Sequence, residues 1–259
     1  MKAKKSLGQH WLFDKPTLYK IIESAEISKA DTVLEVGPGR GSLTEVLAES
    51  VGKVLAVEFD KDLVPILNVQ FALKENVQIL EADILDYDLS QIPGPYKVVA
   101  NIPYYITSPI IQKFLQTSNQ PSVMVLLVQK EVAQRIVAKP GQMSVLAVSV
   151  QLQATAEIIA NVGKELFQPA PEVDSAILKI TPRAKPLFAV DEKKFFALVK
   201  AGFSEKRKKL RNSLAGGLRI ETSAVEELLQ KAGIGLTARA QELSLEDWYS
   251  LYQAFISLQ

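Results

Sequence analysis

Five short apolar runs punctuate the first 130 positions: Thr32–Val36, Val54–Glu58, Val77–Leu80, Lys97–Asn101 and Val123–Val128. They are rich in Val, Ile and Leu and nearly continuous instead of alternating, the pattern of strands covered on both faces in a parallel sheet. Between them, helical spacing of apolar positions predicts helices near 42–50, 61–74, 108–116 and 130–138. Asp14 ahead of Lys15-Pro16 predicts an N-cap with proline in the first turn of a helix over about 16–26. Pro65, inside the 61–74 segment, predicts a late start or a kink there. Two further strands are expected near 155–162 and 175–181. Strand–helix alternation of this kind predicts an α/β fold with a doubly wound, mostly parallel sheet.

The pattern changes after Thr181-Pro182-Arg183-Ala184-Lys185-Pro186, a charged segment with two prolines that reads as a linker. Beyond it only helical spacing remains, near 191–203, 207–216, 222–232 and 245–257, with Gly216-Gly217 and Gly233 as stops. The expectation is a domain over 1–184 and a small all-helical C-terminal domain over 185–259.

Composition narrows the chemistry. With no Cys, disulfides and thiolate metal sites are excluded, and no metal is expected. No apolar run approaches the roughly 20 residues that span a bilayer. The basic start, with Lys2, Lys4 and Lys5, is not followed by the apolar core of a signal peptide. A cytoplasmic location is the expectation, with no membrane partner. A net charge of +1 means that any nucleic-acid surface has to come from local segregation of charge. Lys206, Arg207, Lys208, Lys209 and Arg211 put five cations in six positions; they are the candidate RNA-binding group, and a solvated helix face is the plain alternative.

Glu35-Val36-Gly37-Pro38-Gly39-Arg40-Gly41 follows a strand and opens a helix. Glycines there allow a tight turn and close approach to a ligand, while the helix N-terminus offers N–H groups. Glu58 ends the next strand, 21 residues after Gly37, where a carboxylate can accept both hydroxyls of a ribose. The G-x-G-x-G spacing departs from the G-x-G-x-x-G fingerprint of dinucleotide sites. Glu35 before the glycines and Asp83 after the third strand turn the balance toward S-adenosylmethionine, whose adenine amine Asp83 would meet. Asp83 as a cap or turn residue is the alternative.

About 60 residues further on, Asn101-Ile102-Pro103-Tyr104 follows an apolar strand. An Asn carbonyl and a backbone carbonyl can each accept a hydrogen bond from an exocyclic amine, Pro103 fixes the backbone, and Tyr104 offers a ring for stacking. Such contacts aim the amine lone pair and favour the charge that develops on nitrogen. Phe167, in Phe167-Gln168-Pro169-Ala170-Pro171, is the candidate second ring; a core Phe anchoring that loop is the alternative. An adenine held between two rings has to leave its stack, so a loop or single-stranded target is expected.

With these residues assembled, the chain resembles the KsgA-type rRNA adenine dimethyltransferases over nearly its whole length. Gly8-Gln9-His10-Trp11-Leu12, the glycine turn, Asn101–Tyr104, Phe167–Ala176, Phe203–Leu214 and Arg239–Leu245 carry the likeness. The resemblance implies a Rossmann-like methyltransferase fold, with His10, Leu12, Gly37, Gly39, Glu58, Asp83, Ile84 and Asn101 around S-adenosylmethionine. It also implies that Asn101, the Ile102 carbonyl, Pro103, Tyr104 and Phe167 hold the target adenine. The substrate implied is 16S rRNA in a small ribosomal subunit precursor, dimethylated at two adjacent adenosines near its 3′ end. His10 stands where many relatives carry Asn, Lys206 where Arg is common, and Tyr105 where Asn is frequent.

The competing readings are an erythromycin-resistance methyltransferase acting on 23S rRNA and a non-catalytic RNA-binding assembly factor on the same scaffold. The basic Phe203–Leu214 stretch argues against the first and the intact Asn101, Tyr104 and Phe167 set against the second. A monomer is expected.

Overall fold

The computed structural model describes Lys4, residues 7–205 and residues 207–257. In chain order the elements are β1 (Trp11–Leu12), α1 (Lys15–Ser24), β2 (Thr32–Val36), α2 (Ser42–Ser50), β3 (Lys53–Glu58), α3 (Val64–Gln70), β4 (Val77–Glu81), β5 (Tyr96–Asn101), α4 (Thr107–Gln116), β6 (Met124–Gln129), α5 (Lys130–Ile136), α6 (Val145–Gln153), β7 (Ala154–Val162), β8 (Phe167–Gln168) and β9 (Ser175–Pro182). Four helices close the chain: α7 (Glu192–Gly202), α8 (Leu210–Leu218), α9 (Thr222–Lys231) and α10 (Leu245–Ile256).

Seven strands form one sheet in the order β4-β3-β2-β5-β6-β9-β7, parallel from β4 to β6 and antiparallel at β9 and β7. The chain winds from β2 outward through β3 and β4, then returns to place β5 and β6 on the other side of β2. β2 and β5 are therefore neighbours at the point where the winding reverses, and their carboxyl ends open on the crevice where such sheets bind ligands. β1 and β8 pair separately as a two-stranded antiparallel ribbon.

Four of the five continuous apolar runs become buried strands for the expected reason, whereas Val77–Leu80 becomes the edge strand β4 and is covered only in part. Val33, Leu34, Val54, Val98, Val99, Val125 and Leu126 are wholly buried, and each such side chain contributes about 1.5–3 kcal/mol relative to exposure. Helices α1 and α2 cover one face through Leu18, Ile21, Val46 and Leu47. Asp14 caps α1 by accepting a hydrogen bond from the Thr17 N–H at 3.0 Å. Pro65 produces the late start, since α3 begins at Val64 with proline in its first turn.

Two compact units emerge, Met1–Gln134 with Ala154–Pro182, and Arg135–Gln153 with Arg183–Gln259. The division expected at 184 therefore misassigns the Arg135–Gln153 stretch and its helix α6, which belongs with the C-terminal helices. There Val148 and Leu152 share a core with Phe195, Leu198, Leu228 and Trp248. Nothing in the periodicity announced α6: Val-Leu-Ala-Val-Ser-Val-Gln-Leu-Gln is β-branched and buried on most sides, so no polar stripe marks it as a helix. α8 begins at Leu210, later than expected, with Lys209 as its N-cap. Arg207, Lys208 and Lys209 thus lie on the approach to the helix and not along its face.

Candidate active site

Between β2 and α2 the backbone turns through Gly37–Gly41. Gly39 has φ +58°, and a Cβ there would sit 2.9 Å from Trp11 Cδ1. Gly41, at φ +80°, would bring a Cβ to 2.8 Å from Phe71 Cε2. Conformation and space both exclude a side chain, so the turn presents bare backbone. Gly41 is also the N-cap of α2, and no side chain caps that helix.

Glu58, at the end of β3, faces this turn. Its carboxylate accepts the Gly39 N–H at 3.0 Å and the Asp60 N–H at 2.8 Å, one on each oxygen. Each oxygen keeps a lone pair for a ligand. Burial pushes the Glu58 pKa up, and the two N–H groups oppose that rise. Glu35, on β2, is 1% exposed, and its Oε2 has no hydrogen-bond partner. Burial pushes its carboxyl up to about 8, and the Glu58 charge adds to the rise. Asp83 follows β4 and accepts the Leu85 N–H at 2.8 Å, so it serves the local turn while lining the same cavity as Ile84.

Asn101 ends β5. Its Nδ2 donates to the His10 carbonyl at 3.0 Å, which turns the side-chain oxygen Oδ1 the other way; Oδ1 makes no hydrogen bond among the described residues. Ile102 is buried, and its N–H donates to the Leu127 carbonyl at 3.3 Å. Pro103 precedes a single 3₁₀ turn, Tyr104–Ile106. The Tyr104 hydroxyl lies 2.7 Å from Ser175 Oγ; burial raises its pKa and the Ser175 contact opposes the rise. The ring of His10 stacks beside that of Tyr104, with centroids 5.8 Å apart and planes at 17°. His10 Nδ1 lies 2.8 Å from the Pro169 carbonyl. A carbonyl can only accept, so the proton of this contact is on Nδ1.

These groups line one cavity of about 350 Å³. It brings together His10, Leu12, Gly37, Gly39, Glu58, Asp83, Ile84 and Asn101 with Ile102, Pro103 and Tyr104. Phe167 is the exception. It is 5% exposed, pairs with Leu12 across the β1–β8 ribbon and packs in the core with Leu18 and Ile21. The ribbon draws its side chain inward, and the ring beside Tyr104 belongs to His10. The core-anchor alternative for Phe167 therefore describes its position here.

The resemblance places His10 and Leu12 at this cavity, but sequence reasoning did not find what anchors the segment that carries them. Lys4 Nζ lies 2.6 Å from Asp60 Oδ1 and 2.6 Å from Asp62 Oδ2, and Gln9 Nε2 donates to Asp60 Oδ2 at 2.9 Å. Leu7–Leu12 then run along the cavity wall. Lys4 is thus tied to acids; Lys2 and Lys5 lie outside the described residues. Among the described residues no group of His, Asp or Glu is placed to hold a metal ion.

In the helical unit, Lys208 pairs with Glu205 and Arg211 with Glu226, each at 2.6 Å. Arg207 and Lys209 are exposed and make no side-chain ion pair among the described residues. Lys206 lies outside them.

A family model described as "Ribosomal RNA adenine dimethylase" matches residues 1–257. A protein of Dehalococcoides mccartyi named ribosomal RNA small subunit methyltransferase A is 44% identical over 255 residues, 97% of this chain and 88% of that one. One of the same name from Caldanaerobacter subterraneus subsp. tengcongensis is 43% identical over 267 residues, covering 100% and 99%. Among solved structures, a dimethyladenosine transferase from Plasmodium falciparum superposes with TM-score 0.82 at 26% identity, over 96% of this chain and 98% of that one. The 23S rRNA methyltransferase ErmE gives 0.76 at 31% identity, over 94% and 98%.

Proposed function

Because this chain belongs to the ribosomal RNA adenine dimethylase family, we propose that it dimethylates the exocyclic amines of adenosines in ribosomal RNA, as a step of ribosome biogenesis. The observation that carries the reading is the Asn101 Oδ1, free to accept a hydrogen bond at the end of β5, one strand away from the glycine turn of β2. The carboxyl ends of β3 and β5 lie two strand spacings apart, about 10 Å, a separation that suits a nucleoside on one side and a base on the other.

The residues present fit S-adenosylmethionine. Gly39 leaves the backbone bare, Glu58 keeps lone pairs for two hydroxyls, and the Glu35 Oε2, with no hydrogen-bond partner, leaves a buried polar atom for a ligand. When bound, S-adenosylmethionine supplies a methyl group already activated on sulfur, so the chain's task is to orient the acceptor amine. Asn101 Oδ1 and the Ile102 carbonyl accept the two amine hydrogens and aim the nitrogen lone pair at the methyl carbon. As the new C–N bond forms, positive charge grows on nitrogen, and fixed acceptors favour it more than they favour the neutral amine. Transfer of that methyl group would leave the cofactor's sulfur as a neutral thioether, and the amine would give up its proton to solvent. Tyr104, held by Ser175, stacks on the base.

The finer substrate is two adjacent adenosines near the 3′ end of 16S rRNA in a small-subunit precursor. The names of the two curated relatives support the small subunit as the source of that RNA. Arg207 and Lys209, with Lys206, supply the RNA-facing charge, and the enzyme acts as a monomer in the cytoplasm; no described helix is long and apolar enough to cross a membrane. Neutralising Arg207 and Lys209 should lower the slope of log affinity against log salt by roughly one to two; an unchanged slope assigns RNA contact elsewhere.

The test uses S-adenosylmethionine labelled on its methyl group with small subunits from a strain lacking this modification, and large subunits in parallel. Dimethyladenosine at two adjacent 16S positions is the expected product. Label confined to 23S rRNA would replace this substrate with that of the ErmE-like enzymes.

A further inference from the structure

Two aromatic side chains on the cavity wall stand open to solvent, Phe59 at 56% and Tyr105 at 60% exposure. Phe59 follows β3, at the cofactor end. Tyr105 is at the target end, and it is the immediate successor of Tyr104. The two tyrosines open a 3₁₀ turn, in which successive side chains point about 120° apart. That angle turns Tyr104 inward, where its hydroxyl meets Ser175, and leaves Tyr105 facing out at the mouth. The outward ring is not loose. Gly8 lies close beside it: a Cβ there would be 3.4 Å from Tyr105 Cδ1 and 3.6 Å from Cε1. The ring has backbone on one side and solvent on the other.

An adenosine whose amine reaches Asn101 has to leave the stack of its own strand. The nucleotide next to it then loses a stacking partner, at the mouth of the cavity. We propose that Tyr105 is a platform for that neighbouring base, so that two consecutive aromatic residues receive two consecutive nucleotides of the acceptor RNA. The inference rests on the reading of this chain as an RNA adenine methyltransferase, and it deepens that reading by naming the residue that holds the flanking nucleotide. Stacking of this kind tolerates any base, because every base has a π face. A purine neighbour, as in a pair of adjacent adenosines, offers the larger surface. The contact needs the ring and not the hydroxyl, which separates it from a hydrogen-bonding role.

The experiment compares wild type, Tyr105→Ala and Tyr105→Phe on unmethylated small ribosomal subunits, with cofactor affinity measured separately by calorimetry. Tyr105→Ala should raise KM for the subunits about tenfold, the order of one base–aromatic stack. Its kcat should stay within about twofold and its cofactor affinity should not change. Tyr105→Phe should bring KM back to the wild-type value. An alanine variant with unaltered KM overturns the proposal. So does a loss that phenylalanine fails to repair, or one that falls equally on kcat and cofactor affinity, as a structural defect would. Wild-type protein that methylates no adenosine removes the functional reading itself and the inference with it; wild-type activity with an indifferent Tyr105→Ala removes the inference alone.

Discussion

At the end of the cavity formed by β2 and β3, ligand-facing groups are backbone amides and carboxylates held by near neighbours in sequence. Glu58 is fixed by Gly39, 19 positions away, and by Asp60, two away. At the end formed by β5, they are side chains held from far along the chain. Asn101 is oriented by His10 across 91 positions, Tyr104 by Ser175 across 71, and His10 by Pro169 across 159. The cofactor end is a local motif that many sheets could carry. The target end exists only when distant segments are in place, so its precision depends on the whole unit; in the function proposed above, it is there that a base would be told from other planar amines.

The contrast can be broken most sharply at Asn101. Asn101→Ala should lower kcat at least about 100-fold, the size of a lost transition-state hydrogen bond, with circular dichroism and melting temperature unchanged. Near-normal turnover would mean that the amine is oriented by something else. At the other end, Gly39→Ala forces a Cβ against Trp11. It should weaken S-adenosylmethionine binding about tenfold or more by calorimetry while KM for RNA changes little. A parallel rise in both constants would show that the two ends are not separable. Ser175→Ala should cost only a few-fold in kcat/KM, in keeping with one neutral hydrogen bond of about 1 kcal/mol, and Tyr104→Phe should match it without adding to it.

The smallest effect expected concerns pH. The Glu35 carboxyl is held up to about 8 against 4.5 in the unfolded chain. Between those values the folded protein binds more protons than the unfolded one, so stability falls as pH rises through that window. The ligand-free melting temperature should drop by a few degrees from pH 5 to pH 8, and Glu35→Gln should flatten that slope. A steeper slope in the variant would locate the titration elsewhere.

Local motifs are also what sequence reveals. The sheet was legible because buried parallel strands are continuous apolar runs, and Gly37–Gly41 with Glu58 because their spacing is itself the structure. Asn101–Tyr104 was legible as a motif. That His10, and not Phe167, lies beside Tyr104 was not, since it depends on a two-residue ribbon, β1 with β8, joining positions more than 150 apart. Lys4 with Asp60 and Asp62 was hidden for the same reason, since its acids lie 56 and 58 positions away. Helix α6 escaped because burial on nearly every side erases the polar stripe that betrays a helix.

The place of α6 also bears on how the chain is synthesised and dissected. The helical unit draws on Arg135–Gln153 as well as Arg183–Gln259, with β7 and β9 of the other unit threaded between these stretches. During translation β1 to β6 emerge first, but their sheet lacks β7 and β9 until α6 has left the exit tunnel. That helix then waits for partners encoded more than 40 residues later. A chain cut at 184 would strand it with Ala147, Val148 and Leu152 uncovered, so a truncated α/β half is a poor reagent, and an aggregating one, for isolating catalysis from RNA binding.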